Sequence, residues 1–175
     1  MASAAAYGIE QGQLYFSTVA AGATPVAANL KADSEGAPSS NITAASALWR
    51  GQNRAPSSVI MGNVDCTATI PRCTFDNTEV LADFWDGATS TGTAHGGTSP
   101  AGITKLSKNS KPLTGDWLWA GQRSHDGKVV NIRFHNAFLA SITPTHARED
   151  FNALDLNLVC LCDASGDFFS VEVVD

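Results

Sequence analysis

The chain has 175 residues and a mass of 18.3 kDa, which is typical of one domain that buries roughly 70% of its unfolded surface. A hydrophobic fraction of 43% excludes an intrinsically disordered chain, and a formal net charge of −6 without any Lys/Arg run excludes a nucleic-acid-binding surface. We therefore expect a single domain over residues 1–175 that repels nucleic acid.

The same composition bears on location and partners. No stretch is apolar over the roughly 18 residues that a membrane span needs, so no membrane partner is expected. The segment Met1–Ala6 lacks the basic and apolar regions of a signal peptide, which indicates synthesis in the cytoplasm. Charged residues are sparse at 16%, as in chains that bury much of their outer surface against copies of themselves.

A weak strand pattern opens the chain over Tyr7–Val19, where Leu14 and Phe16 recur at a period of two. From residue 20 to about residue 57, small and polar residues dominate. We expect a long loop or projecting hairpin here that becomes ordered against a neighbouring molecule. Trp49, a large aromatic residue in this polar segment, favours such a contact.

Strand character returns over Ser58–Arg72. A short amphipathic helix is predicted next, because Asp76 and Glu79 form a capping box and Gly87 can end the helix in a left-handed conformation. Its apolar stripe consists of Val80, Leu81, Phe84 and Trp85. A second long loop of small residues is expected over about residues 88–113.

The strand Thr114–Gln122 places Trp117 and Trp119 on one face. The Asp126–Gly127 dipeptide is typical of a tight hairpin turn, which predicts pairing of this strand with Val129–Phe134. The remaining predicted elements are strands over Ala137–Ile142, Leu154–Cys162 and Phe168–Val174, with a hairpin turn at Asp163–Gly166. The sum is a mainly β fold: a β-sandwich or flattened barrel of about seven or eight strands with one short flanking α-helix and long loops.

The strand Leu154–Cys162 changes character towards its end. Its first half alternates apolar and polar residues, but Val159 and Leu161 then make the second face apolar too. This switch predicts that the strand end is covered on both sides, by a helix or by another subunit.

The four cysteines have unfavourable spacings for disulfides. Cys66 and Cys73 would face opposite ways on one continuous strand, and Cys160 and Cys162 are same-face neighbours that are badly placed for a bond. Neither pair has the spacing of a zinc site. We expect buried, reduced, structural thiols.

Catalytic or metal-binding constellations are not evident. The histidines His95, His125, His135 and His146 carry no local signature of a hydrolase or metalloprotease. The polar run His146–Asp150 is interpreted as a solvated or inter-subunit loop. Asp83 and Asp86 flank Trp85, and Asp163 and Asp167 flank a turn, but neither pair has the pattern of an EF-hand calcium loop, and turn aspartates more often bond to their own backbone. We expect no catalytic residue, no cofactor, no metal and no enzymatic activity.

The order of elements resembles the tail tube (major tail) proteins of long-tailed bacteriophages, related in fold to the tube protein of type VI secretion systems. The resemblance spans roughly residues 58–175 and is carried by Val64–Ile70, Asp76–Phe84, Val129–Ile142, Leu154–Cys162 and Phe168–Val174. It is a resemblance in order and character, so no functional residue is carried over.

This resemblance implies a virion structural protein made in the host cytoplasm and located in the tail. Members of the family form hexameric rings that stack into a tube and conduct double-stranded DNA, with partners such as the terminator and distal tail proteins. Six copies at −6 each would bring −36 formal charges to a ring, and like charge on the lumen keeps DNA from adhering.

Three alternatives remain open at this point. A capsid decoration or other virion structural protein would also be β-rich and acidic, but would lack sixfold ring closure. A carbohydrate-binding β-sandwich would use Trp49, Trp85, Trp117 and Trp119 as stacking platforms, although core or interface packing is the commoner use of such residues. A tube protein of a secretion system would share the fold and carry protein cargo.

Overall fold

The computed structural model describes residues 9–18, 22–50, 56–75, 82–86, 109–123, 126–144 and 153–174. Within these ranges the chain forms ten β-strands. They are β1 (Ile9–Ser17), β2 (Leu30–Ser34), β3 (Ser39–Arg50), β4 (Pro56–Thr74), β5 (Trp85–Asp86), β6 (Lys111–Pro112), β7 (Thr114–Arg123), β8 (Val129–Pro144), β9 (Ala153–Cys160) and β10 (Phe169–Val174).

Eight of these strands form one antiparallel sheet that closes on itself. Hydrogen-bonded neighbours follow the order β8-β7-β1-β2-β4-β9, and β9 returns to β8, so six strands make a barrel. β10 and β3 lie outside this ring, paired with β8 and β4, while β5 and β6 form a separate two-residue ladder. The predicted mainly β class with about eight strands is confirmed.

β8 pairs with three strands. β7 follows one edge, whereas β9 pairs with the C-terminal half and β10 with the N-terminal half of the other edge. The predicted hairpin between the last two strands is therefore wrong, because β8 is long enough for two shorter strands to lie end to end along it. The Asp163–Gly166 turn connects β9 to β10 without pairing them. On either side of this turn the hydrogen bonds to β8 continue, from Leu161 N–H to Asn136 O (3.1 Å) and from His135 N–H to Phe168 O (2.9 Å).

A bulge in β4 corrects the cysteine prediction. The register of β4 against β9 shifts between Ile70 and Cys73, and Arg72 between them has a positive φ of 46°. A bulge adds one residue to one strand and so inverts the side-chain alternation beyond it. Cys66 and Cys73, which were predicted to face opposite ways, are consequently both buried in the core.

A second left-handed residue, Asn136 (φ 46°), acts similarly within β8. Asparagine tolerates this conformation better than most residues. The core side of the strand changes from Val130 and Phe134 before Asn136 to Ala137 and Leu139 after it. The two strands predicted on either side of this position are thus one bulged strand.

The barrel is filled by aromatic and aliphatic side chains. Trp117 and Trp119 both face the interior and are fully buried, as their alternation predicted. The Trp117 ring lies 4.6 Å from that of Phe16 and 4.8 Å from that of Phe84, and its Nε1–H donates to the carbonyl of Ala137 (3.1 Å). Removing such a side chain typically costs about 3–5 kcal/mol, so this cluster dominates the stability of the fold.

Residues 22–29 cover part of the outer face of the barrel. Ala23 packs on Tyr15 and Leu118, which makes a small second core outside the sheet. The Ala23 N–H donates to Asp116 Oδ2 (2.9 Å), and the same carboxylate forms an ion pair with Arg133. This segment therefore explains why Leu118, on the outer side of β7, is buried.

Two segments differ from the predicted loops and helix. In the region of residues 20–57, predicted as a long loop or projecting hairpin, β3 pairs with β4 as a hairpin, and β2 additionally pairs with β1 and β4 despite weak patterning. In the predicted helix, residues 76–81 and Gly87 lie outside the described residues; residues 82–84 form a single 3₁₀ turn and Trp85–Asp86 is β5. Most of the predicted loop 88–113 also lies outside the described residues, and its described end contains β6.

The cysteines divide into three buried thiols and one exposed thiol. Cys66, Cys73 and Cys160 are free and buried, as predicted, whereas Cys162 is exposed because β9 ends before it. Burial raises the pKa of the Cys73 and Cys160 thiols to about 12, with charge from Asp155 and from Cys66 adding to it respectively.

We expect iodoacetamide to label one thiol per native chain at mildly alkaline pH. Cys162 is accessible, whereas the other three thiols react only when the structure opens locally, which slows their reaction by about a hundredfold or more. Mass spectrometry of the intact chain counts the labels, and a urea-unfolded sample that takes up four serves as control. Rapid native labelling of two or more sites would contradict the buried positions.

Candidate functional site

The β3–β4 pair extends beyond the barrel as a two-stranded ribbon. β3 pairs with β4 from Pro56 to Thr69, but β9 pairs with β4 only from Cys66 onward. Among the described residues, no strand pairs with the second edge of β4 before Cys66 or with the outer edge of β3. The ribbon therefore offers main-chain donors and acceptors to another strand.

The core face of the sheet continues onto this ribbon without a cover. Ile42 lies opposite Cys66 in the register, and Ala44 lies opposite Val64. Opposed residues share a face, so Ile42 and Val64 are on the same side as the buried Cys66. They are nevertheless 51% and 41% exposed, and we term these two residues the ribbon strip.

β10 repeats this arrangement at the other end of the strand order. Val171 lies opposite Ile132, and Val173 lies opposite Val130. Val130 is only 5% exposed, whereas Val171 and Val173 are 57% and 49% exposed on the same face. β10 pairs with β8 alone among the described strands, so its outer edge is open as well. We term Val171 and Val173 the β10 strip.

Sequence patterns do not single out either strip. The Val171-Glu172-Val173 alternation shows which face of β10 is apolar, but period two is the same for a covered and an uncovered strand. Ile42 stands alone among polar residues, within a segment predicted as a loop. Only the paired register shows that both strips extend the core face beyond the barrel.

The predicted double cover of the β9 end is not present within the described chain. Val159 is half-buried and Leu161, just after the strand, is 41% exposed. No described helix covers this position. Leu161 thus adds a further exposed apolar side chain, and its cover by another subunit stays a prediction.

The outer face of β10, β8, β7, β1 and β2 is polar and acidic. The cross-strand register places one row across it, consisting of Glu172, Asn131, Ala120, Gln13 and Asp33. A groove of about 820 Å³ lies on this face, also lined by Gln11, Glu35 and Gln122, with no Lys or Arg in its lining. We term this surface the acidic sheet face.

Two groups show the electrostatic character of this face. The Tyr15 hydroxyl donates to Gln13 Oε1 (2.7 Å), and burial together with the nearby Asp33 carboxylate raises the pKa of Tyr15. Glu35 is paired with Arg72 at the margin, with 2.6 Å between Oε2 and Nε. Asp33 and Glu172 are exposed. The surface is suited to repelling anions and to holding water through its amides.

Those of the predicted polar residues that the structure describes do not converge on one site. His135 lies half-buried on β8, whereas His95, His125 and the run His146–Asp150 lie outside the described residues. Asp83 is paired with Lys31 (2.6 Å). Within the described ranges no group of three or more His, Cys, Asp or Glu side chains is placed to hold a metal ion.

The Asp163 turn confirms the interpretation of turn aspartates bonded to their own backbone. Asp163 Oδ1 accepts from the N–H groups of Ser165 (2.8 Å) and Asp167 (2.9 Å). The bond from Asp167 is the largest cause that lowers the pKa of Asp163 below its ordinary value of 3.8.

We expect the fold to lose stability in acid when Asp163 is protonated. Because its folded-state pKa is depressed, its contribution is fully present above about 3.8 and is lost as the pH falls through the lowered folded value. Asp163→Asn keeps the accepting oxygen but not the charge, so its denaturation midpoint should change less than that of the wild type across this acid range. Parallel curves for the two proteins would contradict the assignment.

The three tryptophans whose side chains the structure describes do not form an exposed platform. Trp117 and Trp119 are fully buried, as the preferred interpretation of core packing predicted. Trp85 is half-buried against Phe84, and the side chain of Trp49 lies outside the described residues. The strand-face pair on which the sugar-binding alternative depended cannot stack on a ligand.

The fold is similar to that of a chain in a solved structure. A chain in the cryo-electron microscopy structure of an extracellular contractile injection system, a PVC sheath-tube complex in the extended state, matches with a TM-score of 0.51 and 13% identity, covering 98% of this chain and 94% of that chain. No protein-family profile and no curated protein sequence matches. Within the described residues, no helix is long and apolar enough to span a membrane.

Proposed function

We propose that the chain is a tail tube subunit that self-assembles into stacked hexameric rings in a phage tail. The observation that carries this proposal is the pair of apolar strips, each next to an open strand edge. Uncovered apolar edges aggregate unless a specific partner covers them. The fold likeness to a chain of a sheath-tube complex supports copies of the same chain as that partner.

The strips fit a head-to-tail contact, in which the β10 strip of one subunit packs on the ribbon strip of the next. Burying the exposed half of four such side chains contributes about 4 kcal/mol. Association itself costs about 4–15 kcal/mol, so the strips alone are not sufficient. Pairing of the open strand edges supplies the remainder, and a heterologous contact of this kind closes into a ring when the rotation between neighbouring subunits completes a circle.

The acidic sheet face supplies the lining that such a ring needs. It runs across five strands and ends at the open edge of β10, so a neighbouring subunit continues it. Its carboxylates repel the phosphates of double-stranded DNA, and its amides hydrate the wall without adding charge. We infer that this face lines the lumen and that DNA passes without being bound.

A second candidate is favoured by the name of the structural neighbour. That chain belongs to an extracellular contractile injection system, so the same ring can instead be the tube of an injection particle with protein cargo. Both candidates are non-enzymatic and depend on self-association. They differ in cargo and in neighbours, which in a phage tail are proteins such as the terminator and the distal tail protein.

Electron microscopy of the purified protein tests the proposal. We expect rings or tubes at high concentration, and class averages viewed along the axis should show six subunits. Native mass spectrometry provides the independent count. A chain that stays monomeric at every concentration, and in the particle from which it comes, would contradict the proposal.

Cysteine accessibility tests the lining separately. In a Cys162→Ser background, Gln13→Cys on the acidic sheet face should react with a small maleimide in assembled tubes, but not with a maleimide attached to a large protein. Ala140→Cys, an exposed position on the C-terminal half of β8, is the matched control. Tubes in which Gln13→Cys reacts freely with the bulky reagent would remove the assignment of this face and leave the tube intact.

A further inference from the structure

Two of the buried thiols face each other across a strand pair. Cys66 on β4 and Cys160 on β9 are direct partners in the antiparallel register. Both side chains are on the core face, at 1% and 3% exposure, and the neighbouring Cys66 thiol adds to burial in raising the pKa of Cys160. This cross-strand pair could not be found from the spacing of the cysteines, because the residues are far apart in sequence.

The Cα separation expected from this register is compatible with a disulfide. Directly opposed residues of an antiparallel pair have Cα atoms about 4.5–5.5 Å apart. This range lies within the roughly 4.4–6.8 Å that disulfides span. In the present structure both sulfurs are free thiols.

The pair also lies close to the end of the barrel from which the ribbon projects. Cys160 is the last residue of β9, and β4 leaves the barrel as the ribbon just before Cys66. The neighbours Leu161 and Val64 are each 41% exposed. Cys160 is one residue and Cys66 two residues away from these exposed side chains, so we expect local opening at the end of the barrel to admit hydrogen peroxide more readily than bulky thiol reagents.

We propose that Cys66 and Cys160 form an oxidation-dependent disulfide that fastens the base of the ribbon to β9. Hydrogen peroxide oxidises one thiol to a sulfenic acid with release of water. The second thiol then attacks that sulfur, forms the S–S bond and releases another water, so that two thiols and one peroxide give one disulfide and two waters. High thiol pKa values and burial make the first step slow, which keeps the pair reduced in a reducing compartment.

The consequence is a fold that becomes harder to open after it meets an oxidising environment. The bond would close a long loop between β4 and β9, and such a constraint acts mainly on the unfolded chain. It would also hold in place the strand that carries Val64. This inference does not depend on the proposed tube, since it concerns the single chain.

The test uses the folded Cys162→Ser chain treated with hydrogen peroxide. Peptide mapping without reduction should show Cys66 linked to Cys160, and the melting temperature should rise by at least about 5 °C and return on reduction. Cys73→Ala should behave in the same way, whereas Cys160→Ser should give neither the link nor the shift.

Three results would overturn the proposal. One is a pair that stays reduced even when the folded chain is exposed to hydrogen peroxide far longer than the full oxidation of Cys162 in the wild type requires. Another is oxidation of Cys66 or Cys160 to sulfinic acid without a link. The third is a link that forms only after unfolding in urea. Because the main measurement leaves both core cysteines in place, it does not depend on a core variant that folds.

Discussion

We expect the double substitution Val171→Asp/Val173→Asp to abolish self-association and leave the barrel folded. The two valines are 57% and 49% exposed, so the single chain gains solvated charge at little cost. In an assembled contact the same carboxylates would be buried without partners, which costs about 3 kcal/mol or more for each. That corresponds to more than a hundredfold weaker association per site.

Sedimentation and electron microscopy measure this effect, and circular dichroism checks the fold. Glu172→Gln is the matched control, because it lies between the two valines on the opposite face of β10. Assembly of the double variant at wild-type concentrations would contradict the role of the β10 strip. The comparison requires a wild type that assembles. A negative result would therefore disprove this interface without disproving the proposed function.

The second large effect is expected inside the barrel. Gly121→Ala should destabilise the fold by about 3 kcal/mol, because the added Cβ would overlap the buried Trp119 ring at Cη2 and lie 2.6 Å from Cζ3. The indole is enclosed on all sides and cannot move freely. For a chain of this size the melting temperature should fall by roughly 6–12 °C.

A double-mutant cycle identifies the cause of that loss. Trp119→Phe removes the ring atoms that collide, so Gly121→Ala should cost much less in that background. Gly36→Ala, whose Cβ would meet only Pro71 Cγ at 3.1 Å, is the control for loss of glycine flexibility. Equal losses from Gly121→Ala and Gly36→Ala would show that the contact with Trp119 is not the reason.

The fold class could be predicted because strand alternation survives in the sequence. Leu14 with Phe16, and Trp117 with Trp119, mark the core side of their strands, and the Asp126–Gly127 turn joins the hairpin as expected. The bulges could not be predicted, since a residue such as Arg72 gives no local signal of a left-handed conformation. Each bulge inverts the alternation, which is why the relative facing of Cys66 and Cys73 was wrong.

The site was harder to predict than the fold for a related reason. Whether Val171 is covered depends on which strand lies beside β10, and that is a property of the whole sheet. β3 has a composition typical of a loop, and its strand form depends on pairing with β4. The predictions for the Trp49 side chain, for His95, His125 and His146, and for the helix cap concern parts of the chain outside the description, so they stay predictions.

The strand order also limits the shapes that copies of this chain can build. Among the described strands the ring of six has no end, and open edges occur at two places, on β10 and on the β3–β4 ribbon. A subunit that binds copies of itself through two different strand edges forms closed rings or unbranched filaments, and never a branched network. Specific growth in a second direction must then arise from side chains and not from further strand addition.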